Sequence, residues 1–464
     1  MMKRIFTLVV LCGVFTIKTP AQNLSEINTV KENDAGNPCI SPLEYALIEK
    51  RISDNMKALH IDSSSFAGGS RAVTLLQWPL KPSVNLHDCS YYFISAHVDQ
   101  NTASGAFQDY NCGTIAYDGH GGTDIAIWPY PFVKMDNDLV EVVAAAPGII
   151  IDKHDGEFDK NCVGVGSGLT ANYVIVQHAD GSTVLYWHMK KNSITTVAIG
   201  QPVATGDHIG VVGSSGSSSG PHLHFEIWSG NTAATRVDPF SGTCNLLNAS
   251  SWWAAQKSYL ETAVIKVSVN ITDAVFPACP ATETPNESTT YQIPFQGPGL
   301  SPGYAKFYIF LRNEVSGLIA DLSILNPNGS TYLSWTYTSN ANTLVGLWAY
   351  SKVLPTTDGI YTFRAVYNGD TCSSEFEITH NAAGVVEVNS SYLNIYPNPS
   401  NGNFTVETNA NQVIEIYNLL GEKFYETEIT DPSTTVTLPV KSGVYFCELK
   451  DERNYIQRKK IVVE

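Results

Sequence analysis

Along most of this chain apolar and polar residues alternate in short runs broken by turn residues, and helical spacing is scarce. Val, Thr, Tyr, Ser and Gly dominate these runs, so the pattern predicts an all-β protein. One helix is expected, from Pro42 to Ala58. Strand-like sequence begins at Leu75 to Pro82, and Leu139 to Ile151 reads as two strands around the Ala144-Ala145-Ala146-Pro147-Gly148 bend. Asn172 to Gln177 and Thr183 to Met189 flank His178-Ala179-Asp180-Gly181, a hairpin signal, and Gly200 to Val212 supplies another short strand pair. From Ala263 to Thr379 a second set of alternating runs appears: Val264 to Val269, Ala305 to Leu311, Leu318 to Leu325 and Gly359 to Tyr367. Phe307, Ile309 and Leu311 share one face there, and the run of short strands suggests an immunoglobulin-like sandwich with a binding or spacer role.

At 464 residues the chain is long enough for two to four domains, each with its own core. Met1-Met2-Lys3-Arg4, the apolar run Ile5 to Phe15 and Thr19-Pro20-Ala21 form the basic, apolar and small-residue parts of a secretory signal peptide, with cleavage expected after Ala21. That apolar run is too short to span a bilayer, and no longer one follows. Cys12 leaves with the signal, and the eight remaining cysteines, none in a C-x-x-C, are expected in disulfides rather than on metal. The favoured pair is Cys162 with Cys244, Cys89 with Cys112 comes second, and Cys279 with Cys372 could tie early to late strands of the sandwich. A net charge of −16 argues against nucleic acid or an anionic membrane as partner, and a soluble monomer is expected.

The chemistry gathers at three places. Gly213 to Gly220 is a small-residue loop, read as flexible, that runs into Pro221-His222-Leu223-His224-Phe225-Glu226-Ile227-Trp228, whose strand period puts His222 and His224 on one face. Two imidazoles presented together suit a metal or general-base site, although an H-x-H in a strand is also a common half-buried pair. His120 and Asp124 are separated by Gly121-Gly122-Thr123, which argues for a loop that can fold both toward one point. With a distant histidine they would make an open three-ligand zinc set. Thr183 to Met189 reads as a strand with Val184, Tyr186 and His188 on one face. His178 fits a turn-capping role, and His154 and His208, in polar turn sequence, are read as solvent-facing.

From about 84 to 245 the chain resembles the lysostaphin-like zinc endopeptidases, which cut peptide bonds in bacterial cell-wall cross-links. The motifs that carry the resemblance are His120-x-x-x-Asp124, Tyr186-x-His188 and Gly220-Pro221-His222-Leu223-His224, in the family's order. The resemblance implies one Zn2+ on His120, Asp124 and His224, with His188 and His222 beside the attacking water, in a compact β-barrel-like domain. Three functions compete: a secreted endopeptidase on peptidoglycan, a protease on extracellular Gly-rich proteins such as elastin, and an inactive cell-wall-binding module. All five residues are present, which weighs against the third.

After Asn381 to Val388, read as a linker, Tyr396-Pro397-Asn398-Pro399, Ile416-Tyr417-Asn418-Leu419-Leu420-Gly421 and Ser442-Gly443-Val444-Tyr445 resemble the C-terminal sorting domain of the type IX secretion system of Bacteroidetes. That resemblance implies export, engagement of the type IX machinery, and release or attachment at the cell surface. The expected organisation is a signal peptide at 1–21, an N-terminal extension or short propeptide at 22–80 with the extension favoured, a zinc metallopeptidase domain at 81–250, an immunoglobulin-like β-sandwich at 262–380 and a small β-sandwich sorting domain at 388–464.

Overall fold

The computed structural model describes residues 22–23, 39–61, 73–162, 169–276, 283–380, 393–408, 412–419, 421–439, 441–450 and 456–464. The signal peptide, Cys279 and the 381–388 linker lie outside these residues. Strands dominate, and the chain divides into two compact units, 1–380 and 381–464. Among the described residues no helix is long and apolar enough to cross a membrane.

The catalytic candidates sit on an antiparallel sheet with strand order Tyr92–Ala96, Thr123–Ile127, His222–Trp228, Thr183–Trp187, Tyr173–Gln177, Gly148–His154, Pro202–Val203, with Arg236–Val237 pairing onto the histidine strand. A smaller sheet, His208–Val211, Val140–Val143 and Leu80–Pro82, covers one face. The bend at 144–147 thus separates strands of two different sheets. Strand alternation sorts the side chains: Ile125, Val184, Tyr186, Leu223, Phe225 and Ile227 point into the core between the sheets. Leu185, Trp187 and Trp228 point the other way, against the Pro42–Ala58 helix.

That helix begins and ends where the sequence says it should. Ser41 accepts from the Glu44 amide while the Glu44 side chain accepts from the Ser41 amide, and Pro42 opens the first turn. Ile48, Ile52 and Met56, at helical spacing, bury against Ile151, Tyr173, Ile175 and Trp187.

Residues 263–380 form two sheets around a core that contains Phe307, Ile309 and Leu311. The alternate residues Tyr308 and Phe310 face outward and pack on Phe93, Trp128 and Tyr130 beside the histidine-bearing sheet. Asp88 adds an ionic tie, holding Lys134 at 2.6 Å and Lys266 of the sandwich at 2.7 Å. The 381–464 unit has its own two sheets and a core built on Phe404, Val406, Ile414, Ile416, Leu449 and Ile461.

All three expected cysteine pairs are overturned. Cys89 bonds Cys372 and so staples the sandwich to the preceding region, and Cys112 bonds Cys244. Cys162 is also disulfide-bonded, while Cys39 and Cys447 are buried free thiols. The physical reason for the second pair is local: Cys112 takes a left-handed backbone (φ 67°) after the Asp109 turn, and the Cys244 amide donates to the Tyr110 carbonyl, which sets the two Cα atoms 5.1 Å apart.

Candidate metal centre

Register brings the ligand candidates together. The His222–Trp228 strand lies between Thr123–Ile127 and Thr183–Trp187, with His224 directly opposite Asp124 on one side and Trp187 on the other. Asp124 therefore belongs to a strand rather than to the loop expected from Gly121-Gly122, and cross-strand pairing gives the close approach. Asp124 Oδ1 lies 2.8 Å from His224 Nδ1, and Asp124 Oδ2 lies 3.1 Å from His120 Nε2. His120 Nε2 and His224 Nδ1 are 3.1 Å apart. Gly122 is needed at this crossing, since a Cβ there would stand 2.8 Å from the His224 ring.

His188 reaches the same site by a route that strand alternation does not predict. The strand ends at Trp187, and His188 adopts a left-handed backbone (φ 68°). Its ring leaves the Val184 and Tyr186 face and sits 4.6 Å from His222 and 6.0 Å from His224, centroid to centroid. Tyr186 stays in the core, its hydroxyl accepting from the Ala145 amide. All five sequence-picked residues thus meet in one place, and each is buried.

Outward partners fix the tautomers. Carbonyl and carboxylate oxygens can only accept, so the nitrogen that meets one carries the proton. His120 Nδ1 donates to the His97 carbonyl (2.8 Å), His224 Nε2 to Glu226 (3.1 Å), His188 Nδ1 to the Ser215 carbonyl (2.6 Å) and His222 Nδ1 to the Gly220 carbonyl (2.8 Å). The inward nitrogens of His188 and His222 are then left as lone pairs, while those of His120 and His224 face the Asp124 carboxylate and each other, where a proton or another cation must sit. His188 Nε2 has no hydrogen-bond partner although it is fully buried.

Two imidazole nitrogens and a carboxylate crowded at about 3 Å need positive charge among them. Burial opposes protonation of His120, but the Asp124 carboxylate outweighs it and holds that imidazole up at about 10; His224 is raised well above its ordinary value against burial, chiefly by Cys39 and Asp124. Asp124 itself is held well below the usual carboxylate range, with His120 and His222 overcoming burial. Burial pushes His222 down to about 4. A site that draws protons onto two imidazoles is short of a cation. The inward separations of about 3 Å suit donors sharing one small ion, and His, His and carboxylate are its usual donors. A metal ion fits these residues.

Several residues were passed over in the sequence. Glu226 lies two places beyond His224 on the same strand face, so period-two spacing would have found it; it also accepts from Trp228 Nε1 (2.8 Å) and Arg236 Nε (2.8 Å), and Arg236 leads burial's other opponents in holding its carboxyl down at about 2. His97 orients His120 through its backbone carbonyl, which no residue pattern announces. Its own ring is packed edge-on against Tyr110 and Phe240 and kept neutral by burial. The 213–220 loop is not the flexible element expected. Ser214, Ser215, Ser217 and Ser218 are buried, Ser215 Oγ bonds the Met189 carbonyl and the Asn172 amide, and the loop's carbonyls steer His188 and His222.

The other histidines stand apart. His178 meets the Pro147 carbonyl at 2.8 Å in a turn, as read from sequence. His208 is exposed beside Glu141, whereas His154 is only half-exposed and pairs with Glu157.

Residues 120–239 match the model of Peptidase family M23, and residues 394–464 match the Secretion system C-terminal sorting domain. Over 57 residues the chain is 44% identical to an uncharacterized metalloprotease of Buchnera aphidicola, covering 12% of this chain and 14% of that one. Over 56 residues it is 41% identical to the peptidoglycan DD-endopeptidase ShyA of Vibrio cholerae, 12% of each. The catalytic domain of the antimicrobial peptidase lysostaphin from Staphylococcus simulans aligns at 25% identity with a TM-score of 0.19, covering 26% of this chain and 76% of that domain. The stretches shared with the two curated relatives are thus a small part of either protein. The chain carries a peptidase family M23 domain at residues 120–239 and a secretion-system C-terminal sorting domain at residues 394–464.

Proposed function

We propose that this protein is an exported zinc metalloendopeptidase that hydrolyses peptide bonds in peptidoglycan cross-links. The observation that carries the reading is the convergence of the His120, His222 and His224 imidazoles on the buried Asp124 carboxylate, with the His188 ring beside them, within the M23 match. His120 Nε2, His224 Nδ1 and the Asp124 carboxylate would hold the zinc. When bound there, zinc would polarise the scissile carbonyl and lower the pKa of the attacking water.

The chain's own groups do the rest. His97 and Glu226 lock the rings of His120 and His224, so the donor set is preorganised. His188 and His222, each tied through Nδ1 to a loop carbonyl, present Nε2 as a base to accept the proton of the water and pass it to the leaving amine. Their carbonyl tethers keep that lone pair aimed inward without a further contact. Export through the type IX machinery is the reading of the 394–464 match, with the protein released or held at the cell surface.

The test is digestion of purified peptidoglycan and, in parallel, of a Gly-rich protein, with product masses identifying the bond cut. Muropeptides opened at a cross-link support the reading. Cleavage of the protein substrate alone would replace it with an extracellular protease, and cleavage of neither by metal-loaded protein, with or without residues 22–80, would refute it.

A further inference from the structure

A sixth group enters the site from outside the matched domain. Cys39 is buried and unpaired, with Sγ 3.2 Å from His224 Nδ1, and its sulfur and one nitrogen each of His120 and His224 all lie within 4.8 Å of one another. In the same unit Cys89, Cys112, Cys162, Cys244 and Cys372 are all disulfide-bonded, so this thiol is set apart. A second group lies at the same place: the buried, partnerless Nε2 of His188, whose ring centroid is 6.0 Å from that of His224. We propose that the Cys39 thiolate is a ligand of the metal held by His120, Asp124 and His224, and that residues 39–61 form an inhibitory segment that keeps the site closed until it is displaced. The proposal rests on the metallopeptidase reading above.

Local structure holds the sulfur in place. Ser41 caps the helix in an extended conformation (φ −71°, ψ 158°), so the chain leaves the helix axis and Cys39 and Ile40 turn into the sheet, both buried. Ile48, Ile52 and Met56 seat the helix on the ligand-bearing face of the sheet. Polar ties lock the seat. Arg51 Nε meets Asp152 at 2.9 Å, Asn55 donates to the Ile151 carbonyl at 2.8 Å, and Glu49 accepts from the Ala233 amide at 2.9 Å. Tyr45 donates at 2.7 Å to Glu226 Oε2, the oxygen that also accepts from His224. The segment therefore grips the carboxylate that orients a ligand as well as the ligand site itself.

Chemistry gives the consequence. Two imidazoles, a carboxylate and a thiolate make a closed four-donor set of the structural kind, whereas catalytic sites keep one position for water. On ligation the thiol gives its proton to solvent, and on displacement it takes one back. Burial agrees: His188 and His224 are 0% exposed, His120 1%, Asp124 4% and His222 7%, which leaves a substrate no approach while the segment is seated. Only the fraction of molecules with the segment displaced would turn over.

The experiment uses the full exported chain loaded with Co2+. A thiolate-to-cobalt charge-transfer band is expected in the wild type and should vanish in Cys39→Ser, a change small enough to leave the capped helix in place. A second measurement needs no variant: thiol labelling of Cys39, located by peptide mapping, should speed up about tenfold or more when a chelator removes the metal. Hydrolysis of peptidoglycan by zinc-loaded Cys39→Ser should exceed that of the wild type by about tenfold or more. An equal band in Cys39→Ser, or labelling indifferent to the chelator, overturns the proposal. A lost band with no gain in hydrolysis overturns the inhibitory role. If neither protein hydrolyses anything while the band is lost as expected, the ligation is supported and the peptidase reading is what fails.

Discussion

At the scale of single residues, each imidazole has two jobs, one per nitrogen: the outward nitrogen is tied to a carbonyl or carboxylate, and the inward one faces the site. This division separates the variants. His224→Ala is expected to abolish metal binding, whereas His188→Ala should keep the metal and lose activity, because ligands hold the ion and bases serve the chemistry. Metal content by plasma emission spectroscopy decides it, and equal loss in both would refute the assigned roles. Glu226→Gln leaves every proposed ligand in place but weakens the orienting partner of His224, so metal affinity should fall about 10- to 100-fold in competition with a chelator. Burial sets a different trend at Asp238, whose carboxyl it raises to about 7 despite bonds from the Phe240 amide and Gln100. The folded form then prefers the proton, so stability is greatest below the unfolded value of about 3.9 and falls as pH rises toward 7, by about 4 kcal/mol for this group. Asp238→Asn should remove that slope. Urea titrations of both proteins between pH 4 and 7 measure it, and parallel pH dependences would contradict the argument. Period-two spacing made His222 and His224 legible in the sequence, and it would have yielded Glu226. It misplaced His188, because one left-handed residue turns a side chain to the opposite face and no pattern of apolar positions encodes that. Cys39 was invisible for another reason: an exported chain with many cysteines makes a disulfide the natural expectation for each.

At the scale of elements, local signals were read well and long-range ones poorly. The helix announced itself by Ser41, Pro42 and Glu44, and the Tyr173–Gln177 and Thr183–Trp187 hairpin by the turn between them. The partner of each cysteine depends on which loops meet after folding, which spacing along the chain does not contain. The Cys112 to Cys244 bond illustrates this, since it joins residues 132 apart whose approach is set by the Tyr110 carbonyl. In the chain-entropy model so long a loop contributes about 5 kcal/mol, comparable with the roughly 5 to 15 kcal/mol by which a whole domain is stable. Replacing both cysteines by serine should therefore lower the urea midpoint markedly with little change in the denaturant slope of the native transition. An unchanged midpoint would mean that the folded region draws its stability elsewhere.

At the scale of the molecule, the sandwich, expected at 262–380 with a binding or spacer role, presents an interface on its outward face. Tyr308 and Phe310 cover Phe93, Trp128 and Tyr130, Arg312 donates to the Tyr92 carbonyl, and the Cys89 to Cys372 bond crosses the same boundary. Asp88 sits between Lys134 and Lys266 with little exposure, and a buried charge that loses one partner is costly. Residues 381–464, by contrast, close a core of their own. Two truncations from the C-terminal end should thus have different effects. Removing residues 388–464 should leave the melting temperature of the remaining protein nearly unchanged while stranding it inside the producing cell, since a sorting segment acts through a receptor and not through the catalytic core. Ending the chain at 256 should instead bare the Phe93, Trp128 and Tyr130 patch and leave Asp88 without Lys266, giving a lower melting temperature and association on size-exclusion chromatography. Fractionation and melting curves of the two truncations, taken together, test both halves: a 256-residue form as stable and monomeric as the 387-residue form would make the sandwich a spacer after all, and a 387-residue form that still reaches the medium would refute the sorting role of the tail.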